Sequence, residues 1–163
     1  MKLSLSFKNA LIIGMLGLMP FMAFATNEGK TIADLLSQSE TPDGVVFELI
    51  GSEKSDYLPK ALKKIEDYKK QLQAKFPTLE IAVVSHGAEQ FNLTSKNKDK
   101  EKESHTSVQR LVEADVPVHI CETHASWRGV KAEDFPEYIT PTSQGPTQIK
   151  SYQEMGYTLV VIE

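Results

Sequence analysis

The stretch VVFELI, residues 45–50, sets five apolar side chains around a single carboxylate, Glu48. An apolar run of that length, without alternation, suits a strand covered on both faces, as the strands of parallel sheets are. The turn Pro42-Asp43-Gly44 precedes it. Beyond it, Leu58, Ala61, Leu62, Ile65, Tyr68, Leu72 and Phe76 recur at three- and four-residue spacing, which predicts a long helix with one apolar stripe. Ser55 or Asp56 is placed to cap its start, Pro59 is tolerated in the first turn, and Pro77 ends it. The lysines between the stripe positions form a solvated outer face.

The same alternation continues to the end of the chain. Residues 79–85 (LEIAVVS) make a second strand that ends in His86-Gly87, and a charged, low-complexity loop fills 92–103. Within that loop the triplet Asn92-Leu93-Thr94 matches a glycosylation sequon, which is taken as chance. Ser104 or Thr106 opens a helix with Val108, Leu111 and Val112 inward, and Thr106 with Gln109 offers a capping box. Residues 116–122 form the third strand, 127–135 a short irregular helix, and 138–140 a short fourth strand. Gly145-Pro146 starts a further helix, with Ile149, Tyr152 and Met155 on one side and Gly156 as its stop. Residues 158–162 (TLVVI) close the chain as a fifth strand. Strands alternating with helices through short links predict an α/β fold, a three-layer sandwich with a mainly parallel five-stranded sheet. The domain is expected at 45–163, behind a polar arm at 26–44 that carries a single helical turn around Ile32. No glycine-rich phosphate loop follows any strand, and Gly44 and Gly51 lack the spacing of a dinucleotide site, so no cofactor is expected.

The chain has 163 residues, a net charge of −4 and one cysteine, Cys121. Lys2 and Lys8, the apolar stretch 10–22 and the small-x-small run Ala23-Phe24-Ala25 form the pattern of a cleavable signal peptide over 1–25. Export to the periplasm is therefore expected, and no later segment has membrane-spanning length. Removing two lysines leaves the remainder more acidic still. Such a balance argues against nucleic acid or an anionic membrane surface as partner. A lone thiol excludes disulfide scaffolds and multi-cysteine metal cages. Three states remain open for it: buried and inert, joined to another chain, or reactive.

Cys121 closes the run VPVHIC (116–121), and open parallel sheets bind ligands beyond the carboxyl ends of their strands. Residues two apart on a strand share a face, so His119 and Cys121 point one way and Ile120 the other. If the second and third strands are parallel neighbours, His86 reaches the same edge, with His124 and Arg128 following in the chain. Cations beside a thiol favour the reactive thiolate, whereas Glu122 opposes it. Each residue also has a plainer role. Cys121 would be a small packed hydrophobe, His119 a satisfied buried ring, His86 a turn residue, Arg128 a surface ion-pair partner, and Trp127 a core or oligomer contact. Cys121-x-x-His124 with His86 or His119 also has the composition of a zinc or copper site, without a second paired motif. Ser85-His86-Gly87 lacks the elbow of a serine hydrolase.

The segments VVFEL (45–49), IAVVSHG (81–87), VPVHIC (116–121), Arg128-Gly129-Val130 and the closing IKSYQEMGY (149–157) resemble the DsrE/DsrF-like family, which includes the DsrE and TusD sulfur-relay subunits. The most specific part is the strand-end cysteine followed, after six residues, by Arg-Gly-Val. The resemblance implies a parallel five-stranded sheet, assembly into homo-oligomers or with related subunits, and sulfane-sulfur transfer through the thiol. Only Cys121 matches a family position with a chemical role. The expected function is a periplasmic carrier holding a persulfide on Cys121 between thiol-bearing donor and acceptor proteins. In that expectation His119 or His124 favours the thiolate, and Arg128 steadies the anion. The alternatives are an oligomeric binding protein with an inert cysteine and a Cys/His metal-binding module.

Overall fold

The computed structural model describes residues 27–53 and 56–162, so the signal-peptide pattern and Ser55 lie outside the described residues. Five strands, β1 (Gly44–Leu49), β2 (Ile81–Ser85), β3 (Val118–Cys121), β4 (Thr140–Thr142) and β5 (Tyr157–Ile162), form one sheet in the order β4-β3-β2-β1-β5. Every pairing is parallel. The helices are α1 (Asn27–Ser37), α2 (Tyr57–Lys75), α3 (Lys102–Glu113), α4 (Glu122–Ser126) and α5 (Gly145–Glu154).

Alternation along the strands divides the core in two. Val45, Phe47, Leu49, Ile81, Val83, Val118, Ile120, Val160 and Ile162 face α1, α2 and α3 and form the larger cluster. Val46, Ala82 and Val84 face the other way and pack with Ile149 and Tyr152 of α5. The fold is thus the expected α/β type, with helices on both faces of the sheet. Leu58, Ala61, Leu62, Ile65 and Leu72 of the predicted stripe are buried, while Tyr68 is half-buried and stacks on Phe47 with ring centroids 6.3 Å apart. Asp56 precedes α2 without a side-chain capping bond and pairs with Lys60 instead. Among the described residues no helix is long and apolar enough to cross a membrane.

Several segments differ from the sequence expectation. The polar arm forms an 11-residue helix, α1, instead of one turn. Ile32 and Leu35 join the main cluster, and Glu28 is buried where Lys64 Nζ donates to it at 2.5 Å. The charged loop is also ordered, as 3₁₀ segments Ala88–Leu93 and Ser95–Asn97 that lead into α3. Phe91 and Leu93 anchor it in the core, and His105 holds the Asn92 carbonyl and the Tyr138 hydroxyl. Asn92 is itself buried, so the sequon is enclosed. Because α3 starts at Lys102, Ser104 and Thr106 lie inside it, and Thr106 Oγ1 donates to the Lys102 carbonyl in place of a capping box. Strand β4 falls two residues later than expected, and the irregular helix expected at 127–135 is replaced by α4 and a 3₁₀ turn, Ala132–Asp134.

Phe47 is fully buried on β1, an interior strand paired with β2 and β5. Phe47→Ala is expected to lower the unfolding free energy by about 3–5 kcal/mol, measured by urea denaturation. A loss below about 1 kcal/mol would contradict this account of the core.

Candidate functional site

On the α5 face, Glu48 of β1 and His119 and Cys121 of β3 are the polar positions of otherwise apolar strands. The register Ser85↔Ile120 places His86 beside Cys121 at the carboxyl edge. Beyond this edge lies a cleft of about 420 Å³ that Cys121, His86 and Gly87, Thr123, His124 and Trp127, Ile50, Gln144 and Pro146 line. Its rim is apolar and open to solvent: Trp127 is 75% exposed and Ile50 54%. A groove of similar volume, about 420 Å³, runs between α2 and α3, but it carries no nucleophile and its Arg110 is bound to Glu66.

Cys121 is free and lines the cleft, and at 5% exposure nearly all of the residue is enclosed. It is the last residue of β3 and caps α4. The His124 main-chain N–H donates to Sγ at 3.4 Å, and the Cys121 N–H donates to Gln90 Oε1 at 2.9 Å. His124 Nδ1 donates to the His86 carbonyl at 2.7 Å, and its ring is held between Phe91 and Trp127, with centroids at 5.3 and 5.2 Å. His86 Nε2 donates to Glu48 Oε1 at 2.7 Å. Gly145 at the start of α5 makes room for that ring, since a Cβ there would lie 2.4 Å from His86 Cβ.

Two of the sequence-derived residues do not join the cleft. His119 shares the face of Cys121, as alternation requires, but its Nε2 and the Tyr152 hydroxyl are hydrogen-bonded at 2.9 Å beneath α5. Burial pushes its pKa below the ordinary 6.5, so at neutral pH the ring is uncharged and offers a thiolate no positive charge. Arg128 turns away after α4: its Nη1 donates to Glu53 at 2.6 Å and its guanidinium lies 4.2 Å from the Phe91 ring centroid. Trp127 is exposed in the single chain, not packed in its core. Ser85 is fully buried with its Oγ donating to Glu89, which removes it as a nucleophile. Among the described residues no group of three or more His, Cys, Asp or Glu is disposed to hold a metal ion.

Sequence reasoning missed the support beneath the cleft. Glu89 is fully buried, and its carboxylate accepts from the Gly51 N–H at 2.5 Å, the Ser85 hydroxyl at 2.7 Å and the Gly87 N–H at 3.0 Å. It thus ties the end of β1 to the end of β2. Gly87 is required there because a Cβ would come within 2.7 Å of the Gly51 nitrogen. Burial raises the Glu89 pKa above the ordinary 4.5, and the donated hydrogen bonds pull against that rise. The only hint in the sequence is position: Glu89 and Gln90 follow directly on a buried strand and precede Phe91.

The profile of the DsrE/DsrF-like family matches residues 44–162. No curated protein matches the chain. Among solved structures, a protein of unknown function from Methanobacterium thermoautotrophicum superposes with a TM-score of 0.58 at 19% identity, covering 72% of this chain and 96% of its own. A conserved protein of unknown function from Bacteroides thetaiotaomicron gives a TM-score of 0.54 at 14% identity, covering 74% of this chain and 95% of its own. At these identities the likeness is one of fold.

Because the folded state binds the Glu89 proton more tightly than the unfolded chain does, its titration removes stability as pH rises through the folded pKa. Glu89→Gln lacks that titration. The wild-type-minus-variant difference in unfolding free energy, from urea curves at a series of pH values, is expected to fall as pH rises from about 4.5. A difference that grows with pH would contradict the assignment.

Proposed function

The chain belongs to the DsrE/DsrF-like family, and on that premise we propose that it is an exported sulfur carrier that holds sulfane sulfur as a persulfide on Cys121. The observation that carries the reading is the position of the only thiol, at the end of β3 on a cleft whose rim is apolar and exposed. The Cys121 thiolate attacks the outer sulfur of a donor persulfide, R–S–SH. A new S–S bond forms on Cys121, the donor S–S bond breaks, and its electron pair leaves on R–S⁻. The exchange is redox-neutral and needs no cofactor. The reverse exchange with an acceptor thiol unloads the carrier.

The roles of the surrounding groups are narrower than the sequence suggested. His124 supplies a main-chain N–H to Sγ, and its ring and that of His86, which Glu48 holds, form the polar side of the cleft. His119 and Arg128 are left out of the step because one is neutral under α5 and the other is bound to Glu53. The exposed Trp127 and Ile50 suit contact with a partner, whether a donor, an acceptor or another subunit. Location in the periplasm is part of the proposal and rests on the pattern of residues 1–25.

The enclosure of Cys121, at 5% exposure, favours one second reading, a binding protein of this fold with an inert thiol. Intact mass spectrometry after inorganic polysulfide treatment separates the two. The wild type is expected to gain the mass of one sulfur atom, removable by dithiothreitol, and Cys121→Ser to gain none. A native wild type that stays unmodified favours the inert thiol.

A further inference from the structure

Gln90 is fully buried, and no task assigned so far accounts for both ends of its side chain. Strand β2 stops pairing with β3 at Ser85↔Ile120, one residue short of Cys121. The chain then leaves the sheet through the 3₁₀ segment Ala88–Leu93, and Gln90 Oε1 takes the Cys121 N–H at 2.9 Å, where a longer β2 would have offered a carbonyl. The other end of the same carboxamide, Nε2, has no hydrogen-bond partner. The other buried side-chain polar atoms without partners among the described residues are Ser104 Oγ and His119 Nδ1, neither of which belongs to a side chain bonded to Cys121. An open buried donor costs about 1–3 kcal/mol, and an acceptor arriving at the thiol would recover that cost.

The choice of residue carries the same message. Glutamate would accept the Cys121 N–H and leave no donor open, but it would set a negative charge beside the sulfur. An apolar side chain would leave the N–H itself unmet. Glutamine holds the main chain, adds no charge and keeps one N–H₂ group in reserve. We propose that Gln90 is the positioning residue of Cys121, and that its open Nε2–H group is held for an anion carried there. That the anion is a thiolate extended to a persulfide rests on the sulfur-carrier reading; the placement of the thiol does not.

The test is the pH profile of Cys121 alkylation by iodoacetamide, a neutral reagent, in the wild type, Gln90→Met and Gln90→Glu, with native circular dichroism verified. Below its midpoint the Met variant is expected to react roughly tenfold more slowly, through an upward shift of the midpoint by about one pH unit. Gln90→Glu keeps the acceptor but adds a charge that raises the midpoint by itself, so it bounds the shift. Should the Met variant not fold, the NMR signals of the wild-type Gln90 side-chain amide decide the question. They move through the Cys121 midpoint if its N–H meets the thiolate, and signals that stay fixed overturn the proposal. An unshifted midpoint in the folded Met variant, with only the overall rate changed, marks a structural amide and overturns the proposal. Polysulfide loading of the same proteins separates the two claims. Shifted midpoints with no persulfide in the wild type remove the carrier reading and leave Gln90 in place. Normal loading with unshifted midpoints does the reverse.

Discussion

Burial of β1, β2 and β3 on both faces is the constraint on which the cleft depends. A strand covered by α1, α2 and α3 on one side and by α5 on the other has nowhere along its length for reactive groups. Polar side chains then gather where the covering stops, at the carboxyl edge. Glu48, His86 and Cys121 sit there on three adjacent strands, and parallel pairing fixes their order without any of them having to specify it.

That edge is held by a small set of buried polar bonds. Glu89 collects three donors from the ends of β1 and β2, and Gln90 fixes the end of β3. Two consecutive residues of one 3₁₀ segment therefore connect all three strand ends from below. The segment is itself anchored by Phe91 and Leu93 in the main cluster and by His105 on the Asn92 carbonyl. Packing, buried hydrogen bonds and the position of the thiol form one chain of cause, and a disturbance at Glu89 or Phe91 reaches Cys121 through it.

Much of this was legible in the sequence, for reasons that also explain what was not. The strands and α2 announce themselves because apolar runs and a seven-residue stripe leave little alternative to burial. The side-by-side placement of His86 and Cys121 followed from strand period and parallel pairing. The 3₁₀ segments stayed hidden because two apolar anchors, Phe91 and Leu93, stand among charges that pattern reasoning assigns to solvent. Glu89 and Gln90 were invisible for the same reason: burial of a polar side chain depends on partners remote in sequence, here Gly51 and Cys121. Arg128 and His119 show the opposite error. Closeness in sequence or a shared strand face does not say what else reaches a side chain first, and Glu53 and Tyr152 do so here.

The central claim is that Cys121 is open to chemistry through the cleft while the protein is folded. The direct measurement is the rate of labelling by a small neutral alkylating reagent as urea is raised towards the unfolding transition. The account predicts a rate that is finite in water and flat across the native baseline, because the reagent enters the folded protein. A rate that is negligible in water and climbs with urea in step with the unfolded fraction would show a sealed thiol and contradict it.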